Sequence, residues 1–294
     1  MPATASADAP TEAVTPADAP VPLVSDSQSL RRAFKDFRDG FAQRELWLSL
    51  GWQDIKQRYR RSTLGPLWIT ISTGLQAAAM GLLYSAILNQ DLWTYLPYVT
   101  VGLIVWNVIN AAIIEGGEVF VANEGLIKQL PSALSVHVYR LVWRQFLFFA
   151  HNMVIYLVML AWVWKHVHWT VVLAVPGIAL VFLNALWVTI VFGILSTRYR
   201  DFAPLLGSFV MMLFVLTPVM WSTKALQGNA SVSGRARLVE IIPTYHFLEI
   251  VRAPLLGEPI HRLSWAVVGT ITVVGWMIAI LAMKKYRSRV PYWV

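Results

Sequence analysis

Between Ser62 and Gln90 the chain carries no charged residue, and the run ends at Asp91. A stretch of this length can cross a bilayer, because about 20 helical residues span the hydrocarbon core. Five further apolar stretches follow. The pattern predicts six crossings, over residues 66–88, 97–114, 145–164, 170–195, 202–222 and 263–283. Their continuous apolar character argues against a β-barrel, whose strands are short and alternate in polarity. Ahead of the first crossing the pattern changes. Phe34, Phe37, Phe41, Leu48, Trp52, Ile55 and Tyr59 recur at helical spacing, interrupted at Arg44 and Glu45. Arg31, Arg32, Lys35, Arg38 and Arg44 occupy the other faces. A basic helix with an aromatic face lies in the membrane interface, so residues 28–62 are expected to form one, with Gly40 and Gly51 as its weak points. The fold class is therefore an all-α polytopic membrane protein, with six transmembrane helices in residues 63–294 behind an amphipathic interface helix.

Two connections exceed a turn. Residues 115–144 join the second and third crossings. Residues 223–262 join the fifth and sixth, and their second half, 241–256, is apolar but interrupted by Pro243 and Pro254. It is too short to span, which fits a re-entrant or interfacial element buried against protein.

Charge sets the direction. Of 24 Lys and Arg residues, eighteen fall in segments 31–65, 115–144, 196–201 and the tail from 284, and six fall on the other side. Lys and Arg near span ends stay cytoplasmic, which predicts both termini inside. The 223–262 connection is then external. Residues 1–27, rich in Ala, Pro, Thr, Ser and Asp, lack the apolar content to fold and are expected to be a disordered cytoplasmic tail. With neither a Lys or Arg nor an apolar core in residues 1–30, no cleavable signal peptide is expected.

Composition narrows the chemistry. The chain is 57% hydrophobic and 14% charged, against about 25% charged in soluble domains. Its net charge of +8 reports cytoplasmic loops and gives no reason to expect nucleic acid. Without cysteine there is no disulfide and no thiolate metal site, and His166 and His168 lack the spacing of a metal site. No Gly-Lys-Ser/Thr loop is present, so if ATP powers transport, ATP and Mg are bound by another chain. No acid or base stands in the middle of a predicted span, which argues against ion-coupled transport and against intramembrane acid–base catalysis. No catalytic residue or metal ligand is assigned. The chain does hold 14 Trp, 10 Tyr and 13 Phe. Most suit the interfacial belt. Trp106, Trp187 and Trp276 lie deeper. Aromatic faces also pack against sugar rings, and Tyr84, Tyr98, Trp106, Asn107, Trp187 and Trp221 are the candidate channel residues. In Arg198-Tyr199-Arg200-Asp201, Asp201 is placed to open the next helix as its N-cap.

Several stretches together resemble the permease subunit of ABC-2 type polysaccharide exporters, the group that exports O-antigen, capsule, teichoic acid and galactan. They are Ile55-Lys56-Gln57-Arg58-Tyr59-Arg60-Arg61-Ser62 with Leu64-Gly65 and Trp68; Asn123-Glu124-Gly125-Leu126-Ile127-Lys128; Arg198-Tyr199-Arg200-Asp201 with Thr217-Pro218; and Pro243 through Glu249, Arg252 and Leu255-Leu256-Gly257. The tail 284–294 looks like the actinobacterial galactan branch. The resemblance implies a homodimer in the bacterial inner membrane, above two copies of a cytosolic ATPase, passing a glycan linked to polyprenyl diphosphate. It implies ATPase coupling through residues 28–60 and 115–139, with Arg38, Arg44, Lys56, Arg58, Arg60, Arg61, Glu124, Lys128, Arg198, Arg200 and Asp201 as candidates. The alternatives are a small-molecule or drug permease of the same fold, and a membrane-embedded glycosyltransferase or lipid-carrier enzyme.

Overall fold

The computed structural model describes residues 29–60, 62–65, 67–129, 132–162, 169–222 and 237–294. The predicted tail, Arg61, Trp164, Lys165, His166, His168, Lys224 and Arg235 lie outside the described residues. Among the described residues every regular element is helical. These are α1 (Leu30–Ala42), α2 (Arg44–Arg58), α3 (Leu67–Ile87), α4 (Leu92–Gly117), α5 (Glu124–Gln129), α6 (Ser135–Trp162), α7 (Ala174–Arg198), α8 (Phe202–Leu216), α9 (Pro243–Leu256), α10 (Arg262–Tyr286) and α11 (Val290–Trp293). Short 3-10 segments stand at Val121–Asn123, Trp169–Leu173 and Arg237–Ile241.

Among the described residues, five helical stretches are long and apolar enough to cross a membrane: Leu67–Ile87, Leu92–Gly117, Ser135–Ala161, Trp169–Arg198 and Arg262–Tyr286. The fifth expected crossing is shorter than the sequence pattern suggests. α8 has 15 residues, roughly 22 Å of helix, and ends at Leu216 instead of continuing to 222. The reason is local: Thr217 takes extended angles, φ −81° and ψ 133°, as the residue before a proline must.

α4 is the axis of the fold. It packs against α3, α6, α7, α8 and α9, and Val99, Val101, Leu103, Ile104 and Val105 are buried completely or nearly so. A helix that is apolar all round belongs in the centre. α4 also starts earlier than expected, capped by the Asp91 carboxylate, which accepts from the Thr94 N–H at 2.9 Å. Pro97 is accommodated within it.

The interface helix is two helices. They part at Gln43, where ψ turns to 37°, and not at Gly40 or Gly51. Both glycines sit inside helices, where α1 and α2 press on α6. A Cβ on Gly40 would meet the Ser135 hydroxyl, and one on Gly51 would meet the Trp143 ring. α6 begins ten residues earlier than expected, so the connection before it shrinks. Asp36 of α1 explains its start: the carboxylate accepts from the backbone N–H groups of Leu134 at 3.3 Å and Ser135 at 3.1 Å. These are donors a helix N-terminus leaves unpaired.

α9 is a 14-residue helix buried among α4, α7 and α10. Pro243 opens it, where a missing N–H is harmless. Pro254 lies in its last turn without interrupting it, and Gly257 closes it in the left-handed conformation, φ 70°.

Candidate functional site

The bundle has two chemically distinct ends. At one end, α1, α2, α5, the start of α6, the Arg198–Asp201 turn and residues 284–289 gather most of the described basic residues. At the other, the start of α4, the end of α6 and the end of α9 enclose a cavity of about 290 Å³.

Aromatic rings dominate the walls of this cavity. Trp93, Tyr95, Tyr98 and Tyr156 line it beside the polar groups of Gln90, Thr94, Ser222 and Glu258. Tyr95 and Tyr98 are stacked, with centroids 5.8 Å apart. The Tyr156 hydroxyl donates to the Leu255 carbonyl at 2.5 Å, joining α6 to α9. Rings fixed in this way, interspersed with three neutral hydrogen-bonding side chains and the Glu258 carboxyl, offer flat apolar faces and polar edges to a hydroxylated ligand.

Behind the cavity wall is a buried charge. Arg252 of α9 is 2% exposed. Its guanidinium stands 3.9 Å from the centre of the Tyr98 ring. It donates to the Pro218 carbonyl at 2.7 Å and to Glu249 at 3.2 Å. The Thr217 and Thr244 hydroxyls meet at 2.5 Å. Thr217-Pro218 lies about one connection away in sequence from Glu249 and Arg252, on successive turns of α9, yet they converge on this one corner.

The candidate channel residues have different locations. Tyr98 lines the cavity. Trp221 adjoins it: its carbonyl accepts from the Tyr98 hydroxyl at 3.2 Å, while its ring folds back on the Val215 carbonyl. Tyr84 is half-buried against the core. Trp106 is buried against Phe214 of α8, centroids 5.2 Å apart, and Asn107 beside it is half-buried. Trp187 bonds Asn184 at 2.6 Å and lies against Gly275 of α10. It also lines a second cavity of about 280 Å³ with a purely apolar wall, bounded by α4, α7, α8, α9 and α10. Sequence reasoning singled out none of Trp93, Tyr95 and Tyr156, leaving them among the aromatics of the interfacial belt.

At the basic end, Arg38, Arg44, Arg60 and Arg200 are exposed. Lys56 stands over Trp52 and Arg58 over Phe148. Lys128 bonds Glu124 at 2.6 Å, one turn apart on α5. That hydrogen bond holds the Glu124 carboxyl below its usual range. Arg198 stacks over Trp293 of α11 at 4.9 Å. Asp201 stands at the N-cap position of α8, but its side chain makes no capping bond. Its backbone is helical, φ −75° and ψ −8°, where an N-cap needs extended angles.

A network unforeseen in the sequence binds this end together. Asp54 of α2 accepts from Arg140 at 2.9 Å and Arg144 at 3.1 Å. Arg144 and Gln145 both reach Glu115 of α4. Arg140 also holds Asn123 at 3.0 Å, and Arg287, just past the end of α10, pairs with Asp36 at 3.3 Å.

The family model for the ABC-2 type transporter matches residues 45–256. A relative from Myxococcus xanthus, named O-antigen export system permease protein RfbA, is 23% identical over 197 residues. The aligned part is 67% of this chain and 75% of the relative. A protein of the same name from Klebsiella pneumoniae is 24% identical over 189 residues, 61% of this chain and 70% of the relative.

Proposed function

The chain belongs to the ABC-2 type transporter family, multi-pass proteins of the bacterial inner membrane that work with a cytosolic ATPase, and from that premise we propose that it is the permease of a polysaccharide exporter. Two copies form the path, with two copies of the ATPase at the basic end. That end faces the cytoplasm, in keeping with the Lys and Arg distribution. α8, extended by the segment after it, makes the remaining crossing, and α9 is re-entrant from outside. The cargo is a glycan on polyprenyl diphosphate, of the O-antigen or galactan kind.

The cavity lined by Trp93, Tyr95, Tyr98 and Tyr156 carries the substrate class. Its aromatic faces suit sugar rings, and Gln90, Thr94, Ser222 and the Glu258 carboxyl suit hydroxyls. The names of both relatives point to the same cargo. The coupling role stays with the exposed basic residues of α1 and α2, with α5 and with the Arg198–Asp201 turn, which together offer a surface to the ATPase.

Depletion of the chain in its own bacterium is expected to leave lipid-linked glycan on the inner face while surface glycan falls. Trp93→Ala, at a ring 57% exposed, is expected to slow export several-fold without loss of folded protein. Unchanged surface glycan in the depleted cells would rule the reading out. A permease for an apolar small molecule is the second reading, favoured by the apolar cavity beside Trp187. It requires depletion to raise sensitivity to such a compound and leave glycan untouched.

A further inference from the structure

The five residues after α8, Thr217–Trp221, have irregular backbone, yet Thr217, Pro218 and Val219 are buried. Irregular backbone at membrane depth must find its hydrogen bonds in surrounding protein. Here side chains supply them. The Pro218 carbonyl accepts from Arg252 at 2.7 Å and, more weakly, from the Tyr98 hydroxyl at 3.4 Å, the Met220 carbonyl from the Tyr95 hydroxyl and the Trp221 carbonyl from the Tyr98 hydroxyl. Val219 packs directly on Gly102 of α4, where a Cβ would stand 2.7 Å from the Val219 carbonyl oxygen. The segment is thus gripped by α4 and α9 through polar contacts, and Ser222 at its end lines the aromatic cavity.

Arg252 differs from the two tyrosines. A buried guanidinium is costly unless its charge is compensated, and here Glu249, the Tyr98 ring and the Pro218 carbonyl share that task. Its Nε meets no acceptor among the described residues. It has carboxylates at hand: Glu249 in contact and Glu258 close enough to act on its charge. Releasing the Pro218 carbonyl therefore leaves the charge paired. An apolar wedge in the same place would have no such second arrangement. The contact can therefore break without stranding the charge, which a switching element requires.

We propose that Arg252 is a positioning residue that pins segment Thr217–Ser222 against α4 and α9, and that release of the Pro218 carbonyl opens the outer end of the cavity. The proposal rests on the reading above only in placing the cavity on the export path.

The chain has no cysteine, so Ser222→Cys gives a unique thiol. Its labelling by a membrane-impermeant maleimide is measured in the full chain with its ATPase, in cells and without added substrate. Arg252→Met combined with Glu249→Gln removes the pin and leaves no lone buried carboxylate. Labelling is expected to accelerate by at least about tenfold, the factor lost with one charged hydrogen bond. Arg252→Lys, which keeps the charge, should stay near the parent rate. Tyr98→Phe, a gentler change that keeps the ring, should accelerate labelling by roughly threefold. It decides the matter if the double variant fails to accumulate. Unchanged labelling in a folded double variant, or in Tyr98→Phe where that is the deciding arm, overturns the pin. Equal acceleration in Arg252→Lys and Arg252→Met/Glu249→Gln also overturns it. Accelerated labelling in a chain whose depletion leaves surface glycan intact would keep the pin and reject the glycan reading, so the two fail separately.

Discussion

At the scale of single residues, burial decides which charges matter. Among the described residues Asp54 is the only acid touching both Arg140 and Arg144, and its side chain is 13% exposed. Removing one partner of a largely buried pair leaves the others uncompensated and costs on the order of 3 kcal/mol. Asp54→Asn is therefore expected to lower the thermal midpoint of the detergent-solubilised protein clearly. Glu124→Gln, which breaks the exposed pair on α5, should leave the midpoint unchanged, because water already screens such pairs. Equal midpoints for the two variants would count against the network. The same contrast shows why the network was illegible in the sequence. Asp54 lies 86 residues from Arg140 and Asp36 lies 99 from Ser135, and within their own helices both read as ordinary polar positions. Trp93 and Tyr95 were visible as aromatics near a span end. Only the approach of α6 and α9 turns them into cavity walls.

At the scale of elements, the apolar runs were legible because hydropathy over about 20 residues is a strong signal. Their ends were not. α8 is cut short by Pro218, a residue visible in the sequence, while α6 is lengthened by Asp36, a cap supplied from another helix. α9 was readable as a short apolar segment, but its burial depends on α7 coming close. A Cβ on Gly177 of α7 would stand 2.5 Å from the Ile250 carbonyl oxygen of α9. Neither backbone can yield easily, so Gly177→Ala is expected to cost about 1–3 kcal/mol through overpacking. Gly269 of α10 has nothing within 4 Å of the same position. Gly269→Ala should be neutral or stabilising by up to about 1 kcal/mol, the helix-propensity difference. Thermal midpoints of the two variants, measured side by side, check the α7–α9 contact. A Gly177→Ala protein as stable as the parent would mean that α9 sits farther from α7.

At the scale of the whole molecule, burial is distributed unevenly and points outward from α4. α3 and α8 lie at the rim. Leu75 on α3 is 71% exposed, and Met211 and Val215 on α8 are 72% and 65% exposed. Apolar exposure alone suits lipid, so it does not choose between a lone chain and a pair. The volume of the path argues for the pair: the cavities enclosed by one chain, about 290 and 280 Å³, are at the low end of the size of small-molecule pockets and too small for a hydrated polymer. Closed two-fold association is also the commonest oligomer, and it makes each surface meet its own copy or a single other face. Single cysteines placed along residues 67–87 and 202–216 of the cysteine-free chain test this. If two copies enclose the path through α3, α8 or both, oxidation should trap covalent dimers at positions repeating every three to four residues, on one stripe of a helix. Lipid-facing positions on the same helices should stay monomeric. The ATPase proposed to sit at the basic end can be scored in the same samples. A chain that holds the ATPase yet forms no covalent dimer at any position along either helix would exclude a path built on these two faces.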